Sequence, residues 1–432
     1  MRKTFSSLRF YNYRIWVAGA LVSNIGTWMQ RVAQDWLVLT VLTNHDATAV
    51  GIVTALQFGP QILLLPLTGY AADRMDRRTL LSITQAAQGL LALCLGLLTI
   101  SGYVELWHVF VFGALLGCTT AFDAPARQSF VSDLVPETHL ANAVALNSAN
   151  FNASRTVGPA VAGVLIAVAG SGWAFIINAA SFAAVLFSLS RMRRTEFYSP
   201  NSELRGGKGS LLDGFRYVWQ RRDLSIIMCM FFLIGSFGLN FPIYIATMAA
   251  TVFHMDAQGF GLLTATLAAG SVTGAVLAAG RDKPTPDIIV KAALMFGIMS
   301  LVGAMMPGYL TFAVALFFIG ISVQTFTTSA NAFVQLSATA AVRGRVLALL
   351  LTIALGGQAM GAPLVGWIAD AFGPRWALGV GALSALISYL LGRRMLLAKT
   401  KIAPANPESP AVPALPDAAA IPASPDNTSR SE

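Results

Sequence analysis

Charge is scarce in this chain. Only 11% of its 432 residues are Asp, Glu, Lys or Arg, where a soluble globular chain carries about 25%. So few charges cannot clothe a water-soluble body, and a hydrophobic content of 55% with mean hydropathy +0.64 points the same way. Cysteine is scarcer still. Cys94, Cys118 and Cys229 are odd in number and scattered through apolar runs, so they build neither a disulfide framework nor a metal site. The four histidines, His45, His108, His139 and His254, lie at the ends of such runs or between them. No pair of them has metal-ligand spacing on a helix, and no resident metal is expected. The chain also lacks a phosphate-binding glycine loop, a zinc-protease pair and a nucleophile elbow. These absences argue against an ATP-driven pump and against a soluble-type enzyme; no catalytic residue and no cofactor is expected.

What the chain has is apolar length. Twelve segments, at roughly 15–42, 47–72, 79–100, 104–126, 141–169, 172–190, 224–252, 258–280, 287–307, 309–336, 346–369 and 375–397, each reach the length of a bilayer-crossing helix. The positive charge between them alternates. The N-terminus, the stretch Arg74 to Arg78, Arg127, the long stretch 191–223, the region around Arg281 to Lys291, Arg343 with Arg345, and Arg393 to Lys401 are basic. The intervening loops hold a single basic residue, Arg375. The positive-inside rule then places both termini and the central loop in the cytoplasm of a multi-pass protein of the cytoplasmic membrane. The net charge of +9 fits loops that face anionic lipid headgroups. Its dispersal among those loops argues against nucleic acid as a partner. The first apolar segment exceeds a signal-peptide core in length and is read as a retained helix.

The expected fold is all-α and integral to the membrane: twelve transmembrane helices in two pseudo-symmetric six-helix bundles, residues 1–190 and 224–399. Between them lies a cytoplasmic linker, 191–223, in which Leu211, Leu212, Phe215, Val218 and Trp219 share one face of an amphipathic helix. The Pro-, Ala- and Ser-rich stretch 400–432 is expected to be a disordered cytoplasmic tail. The duplication rests on an internal repeat. An offset of 203 positions superposes Gly158 on Gly361, Gly163 on Gly366, Gly170 on Gly373, Trp173 on Trp376, and Arg155 on Gln358. Each of these glycines has a simpler reading as a close-packing residue.

Polar residues within the spans are the candidates for chemistry. On the first span Asn24, Trp28, Arg31 and Asp35 fall within an arc of about 60° at about 100° per residue. On the tenth, Gln324, Thr328, Asn331 and Gln335 repeat that spacing, and the seventh offers Phe237, Asn240, Phe241 and Tyr244. Such stripes suit a cavity for an amphipathic or aromatic organic molecule, or hydrogen bonds between helices. Arg31 and Asp35, at i and i+4, can pair on one helix face. Either they neutralise each other, or Asp35 takes a proton when Arg31 is displaced. Arg155 is a further cation within the spans, either for coupling or for packing.

The second basic stretch reads Gly69-Tyr70-Ala71-Ala72-Asp73-Arg74-Met75-Asp76-Arg77-Arg78. It resembles the signature between helices two and three of the major facilitator superfamily of transporters at Gly69, Asp73, Arg74, Arg77 and Arg78, with Asp76 in place of the usual glycine. Several stretches are similar to the enterobactin-exporter and macrolide-efflux branch of drug:proton antiporters. They include Phe5 to Trp16, Asn24 to Trp36, Asp123-Ala124-Pro125-Ala126-Arg127, Gly158-Pro159 to Gly163, and Arg343-Gly344-Arg345-Val346. Gly158, Pro159 and Gly163 also resemble the helix-five motif of antiporters. The resemblance implies a central cavity lined by helices one, four, seven and ten. It implies a cytoplasmic latch in which Asp73, Arg77 and Asp123 meet, with Arg127 beside them. The function it implies is export of a small organic molecule, a siderophore, drug or metabolite, by proton antiport and alternating access. Protons and membrane lipids are the other partners, and a monomer is expected. Lipid flipping, solute uptake, a membrane enzyme and a non-transporting scaffold remain the alternatives.

Overall fold

The structure, a computed structural model, describes residues 5–198, 211–279, 285–339 and 342–402. Among them there are helices and no strand. This is the outcome that hydrocarbon imposes, since an α-helix satisfies its backbone N–H and C=O groups within one segment. After a 3-10 turn at Ser6–Arg9 come α1 (Tyr11–Trp36), α2 (Ala47–Leu63), α3 (Leu65–Arg74), α4 (Arg77–Ile100) and α5 (Leu106–Leu134). They are followed by α6 (Glu137–Ala169), α7 (Ser171–Arg191), α8 (Leu211–Gln220), α9 (Arg222–Leu233) and α10 (Phe241–Thr247). The chain continues with α11 (Ala257–Ala279), α12 (Pro286–Met305), α13 (Tyr309–Ser337), α14 (Arg343–Phe372) and α15 (Pro374–Ile402). The last helix runs through Ile402, into the first residues of the expected tail; the rest of that tail lies outside the described residues.

Ten helical segments among the described residues are long and apolar enough to cross a membrane, two fewer than the apolar runs suggest. The first expected span, α1, has 26 residues, but Asn24, Gln30, Arg31, Gln34 and Asp35 interrupt its apolar character. The second, expected as one run over 47–72, breaks at Leu64 (φ −90°, ψ 0°) into α2 of 17 residues and α3 of 10. Pro66 stands in the first turn of α3 and has no N–H to carry the ladder across.

The seventh span is interrupted as well. A wide π turn covers Ile234–Gly238, the backbone leaves the helix at Leu239 and Asn240, and α10 restarts at Phe241. Pro242, in the first turn of α10, lacks the N–H that a continuous helix needs there.

Helix pairings recur along the chain. In the N-terminal part α1 packs on α6 and α7, α4 on α5 and α7, and α2 on α5. In the C-terminal part α9 packs on α14 and α15, α12 on α13 and α15, and α11 on α13. The repeated glycines sit in matching places. A Cβ on Gly158 would strike Trp28 and the Ile25 carbonyl of α1; one on Gly361 would strike the Ser236 backbone beside α9. Gly170 (φ +87°) and Gly373 (φ +99°) end α6 and α14 in a backbone region reserved for glycine.

Two seams join the parts, α2 against α14 and α6 against α11. Both bring backbones together toward the arginine-poor end. Gly366 abuts the backbone of Ala47 and Thr48, and Gly163 that of Ala257 and Gln258. Small residues let the backbones approach there. The amphipathic linker helix is present as α8. Its Val218 is buried, while Phe215 and Trp219 stack on each other at 5.6 Å and stay exposed.

Candidate functional site

A cavity of about 310 Å³ lies between the two seams, within the size range of sites for small organic molecules. Its wall takes Trp28, Arg31 and Asp35 from α1, Thr54, Gln57 and Phe58 from α2, and Arg155 and Pro159 from α6. From the C-terminal part come Leu239, Phe241 and Pro242 at the broken seventh span, Phe260 and Thr264 of α11, Gln324 and Thr327 of α13, and Gln358 of α14. The polar stripe of α1 is what makes it a cavity helix: positions 28, 31 and 35 share one face, and that face meets the open space.

The charges are arranged around an indole. The Arg31 guanidinium stands 5.0 Å from the Trp28 ring centre and 5.7 Å from that of Phe58. The Arg155 guanidinium lies 6.0 Å from the same indole. Both are within cation–π reach. Arg155 Nη2 donates to Ser271 Oγ at 3.0 Å, across the α6–α11 seam. Arg31 Nε is buried with no hydrogen-bond partner. The pairing of Arg31 with Asp35 that the i, i+4 spacing allows is not made. The ion pairs among the described residues join other partners, because Arg31 turns to the aromatic rings instead. Asp35 is 8% exposed in the cavity wall.

The break in the seventh span is stabilised from both sides. Gln358 Nε2 donates to the Leu239 carbonyl at 3.2 Å, one of the groups the lost ladder leaves open. The Tyr244 hydroxyl donates to the Phe237 carbonyl, and Asn240 Nδ2 donates to the Ser236 carbonyl at 2.6 Å. Asn240 and Tyr244 are fully buried. Phe237, Asn240 and Tyr244 therefore hold the bend, and Phe241 alone of that group faces the cavity. On α13, Gln324 lines the cavity and donates to Thr328 Oγ1 at 3.0 Å, while Asn331 donates to the Thr327 carbonyl at 2.8 Å. Thr328 and Asn331 are outside the wall, as is Asn24.

The basic end is organised differently from the expected latch. Arg77 Nη1 binds Asp133 Oδ1 at 2.6 Å and the Ser129 carbonyl at 3.1 Å. Asp123 accepts from Thr84 Oγ1 at 2.8 Å, Gln85 Nε2 at 2.7 Å and Arg127 Nε at 3.1 Å. Arg127 also reaches Asn24 Oδ1 at 3.4 Å. Arg77 and Asp123 thus have separate partners, although Asp133 and Asp123 both belong to α5. Arg78 donates to the Ser190 carbonyl at 3.4 Å, and Arg74 is exposed at the end of α3. Gly69 and Asp73 fall in α3, and the Asp73 side chain lies outside those described. Of the helix-five motif, Pro159 lines the cavity, Gly158 seats α1 and Gly163 seats the start of α11.

Sequence reasoning missed Thr54, Gln57, Phe58, Phe260, Thr264 and Gln358. Gln358 had a signal, its place opposite Arg155 in the repeat. Thr54, Gln57 and Gln61, at i, i+3 and i+7, also make a polar stripe on the second span that sequence reasoning did not single out, and Phe260 and Thr264 share a face at i, i+4.

Comparison with known proteins identifies the family and the fold. The family model for transmembrane secretion effectors matches residues 2–419. The staphyloferrin A transporter of Staphylococcus aureus is 25% identical over 86% of this chain and 94% of its own length. The multidrug efflux pump Tap of Mycobacterium tuberculosis is 23% identical over 89% and 93%. The enterobactin exporter EntS of Shigella flexneri is 23% identical over 85% and 88%. Among solved structures, a bacterial homologue of the human lysosomal transporter Spinster, inward-facing and occupied, superposes with a TM-score of 0.73. It covers 90% of this chain and 97% of its own, at 14% identity, so it speaks for the fold alone.

Proposed function

We propose that this chain, which belongs to the transmembrane secretion effector family of the major facilitator superfamily, exports small organic molecules in exchange for protons by alternating access. The observation that carries the reading is the cavity at the junction of the N- and C-terminal helices, with Arg31, Asp35 and Arg155 in its wall. An ionisable group at mid-bilayer costs about 2.5–3.5 kcal/mol on insertion scales and is retained where it faces a cavity. Relatives named for siderophore transport, drug efflux and enterobactin export favour a small organic cargo and the outward direction.

In this reading residues 1–190 and 224–399 are two six-helix halves that cross the membrane twelve times. α1 counts as the first crossing because its polar face meets the cavity and not lipid; α2 and α3 together make the second. The linker 191–223 and both termini are cytoplasmic, and one copy of the chain suffices. The halves rock about the two seams and expose the cavity to each side in turn. Asp35, the one carboxylate in the cavity wall among the described residues, carries the proton.

Inverted membrane vesicles test this. With an imposed pH gradient, acid inside, they should accumulate a fluorescent cargo that dissipation of the gradient releases. Asp35→Asn should abolish gradient-driven accumulation and leave downhill exchange. Full gradient dependence in Asp35→Asn would place coupling elsewhere, and no gradient dependence in the parent would end the antiport reading.

A further inference from the structure

We propose that the cavity selects organic anions: molecules with an aromatic or apolar body and an oxyanion head such as a carboxylate. This rests on the reading of the cavity as the substrate site and names the class of molecule it takes.

The wall holds two guanidiniums, Arg31 and Arg155, against one carboxylate, Asp35. With Asp35 ionised, the site therefore keeps one uncompensated positive charge, and with Asp35 protonated it keeps two. Neither arginine has spent its donors on a carboxylate. Among the described residues, Arg31 makes no ion pair and its Nε has no hydrogen-bond partner. The hydrogen bond of Arg155 goes to a neutral hydroxyl, that of Ser271. Ring faces offset part of the charge on Arg31, but they supply no oxygen acceptor for its in-plane N–H groups. A planar guanidinium matches an oxyanion in two parallel hydrogen bonds, the stronger kind of such contacts.

The same rings argue against a cationic cargo. Trp28 lies within reach of both guanidiniums, at 5.0 and 6.0 Å, and Phe58 lies 5.7 Å from Arg31. The rings of Trp28 and Phe58 already face guanidiniums, which would repel an ammonium placed there. Phe241, at the broken seventh span, and Phe260, stacked on Trp36 of α1, also line the cavity beside the apolar body.

The test uses purified full-length protein in nanodiscs, without any gradient, and three probes of one shape: cinnamate, cinnamamide and cinnamylammonium. Calorimetric titration should find cinnamate bound at least about tenfold tighter than either partner, the margin of a charge-assisted over a neutral hydrogen bond. Arg31→Gln and Arg155→Gln should each weaken cinnamate by about tenfold and cinnamamide by much less, so that the preference for the anion shrinks; Arg31→Lys should retain part of the preference. Equal affinities for the three probes, tighter binding of the ammonium, or no measurable binding of cinnamate would overturn the proposal, and the wild-type comparison decides this even if a variant fails to fold. The two readings fail separately. Selective binding of cinnamate without proton-dependent transport would keep the anion site and discard antiport. Proton-dependent efflux without a preference for cinnamate would do the reverse.

Discussion

Asp370, two residues before the end of α14, holds Thr48 at the start of α2. Its Oδ2 accepts from the Thr48 N–H at 2.8 Å and from the Thr48 hydroxyl at 2.5 Å, while its Oδ1 accepts from the Ala47 N–H at 2.8 Å. A helix start leaves its first N–H groups without partners, and a carboxylate there also meets the positive end of the helix dipole. Asp46 supplies the ordinary cap, to the Ala49 N–H at 2.9 Å. Asp370 is therefore a second cap, delivered from the C-terminal helices to the N-terminal ones. Opening the arginine-poor end has to break it.

From this contact a shift of conformational balance is expected. Asp370→Ala should favour separation of the arginine-poor ends by about 1–2 kcal/mol, the worth of charge-assisted hydrogen bonds at an exposed site, or roughly tenfold in population. Asp370→Asn, which keeps one acceptor, should do less. Spin-label distances between positions 45 and 376 read the change; an unaltered distribution in Asp370→Ala would dismiss Asp370 as a closing contact.

The glycine seams predict a graded response to one methyl group. At Gly361 a Cβ meets the Ser236 backbone, which cannot turn aside, so Gly361→Ala should lower stability by about 1–3 kcal/mol. At Gly379 nothing stands within 4 Å, and Gly379→Ala, inside α15, should leave stability unchanged or raise it by up to about 1 kcal/mol, because alanine is the better helix former. Thermal unfolding in detergent measures both. Equal melting temperatures would mean that α14 does not depend on its close approach to the seventh span.

Side chains in the wall and side chains behind it should separate in their effects. Alanine at Trp28, Phe241 or Gln324 removes cavity surface and should change cargo affinity with little loss of folded protein. Asn240→Ala removes the contact with the Ser236 carbonyl at a fully buried position and should cost about 1–3 kcal/mol of stability. Asn331→Ala, outside the wall, should leave affinity unchanged. Binding and melting curves on the same preparations distinguish the two outcomes, and an affinity loss in Asn331→Ala as large as in Trp28→Ala would relocate the cavity.

Topology is open to direct labelling. In a background without Cys94, Cys118 and Cys229, a cysteine at exposed position 45 should react with an impermeant maleimide from outside intact cells. One at exposed position 194 should react only after the membrane is opened. Outside labelling of position 194 would invert the assignment.

Much of this protein was decided by the sequence alone. Few charges, long apolar runs and basic loops in alternation force a helical membrane chain, because hydrocarbon leaves backbone groups no partner but their own segment. The stripe of Trp28, Arg31 and Asp35 is also local information: a fixed angle per residue puts those three side chains on one face whatever surrounds it. The repeat that places Gly158 on Gly361 needs nothing but the text. What the text did not hold is the choice of partner. Arg77 takes Asp133 and not Asp123, and Arg31 turns from Asp35 to Trp28 and Phe58, because each choice depends on where helices distant in sequence stand. The break at Leu239 and Asn240 turns a stripe that looked like cavity lining into a bend held by Tyr244 and Gln358. Thr54, Phe58 and Phe260 join the wall only once α2 and α11 are packed against their neighbours. Those are distances between helices, set by packing, and no periodicity along one helix contains them.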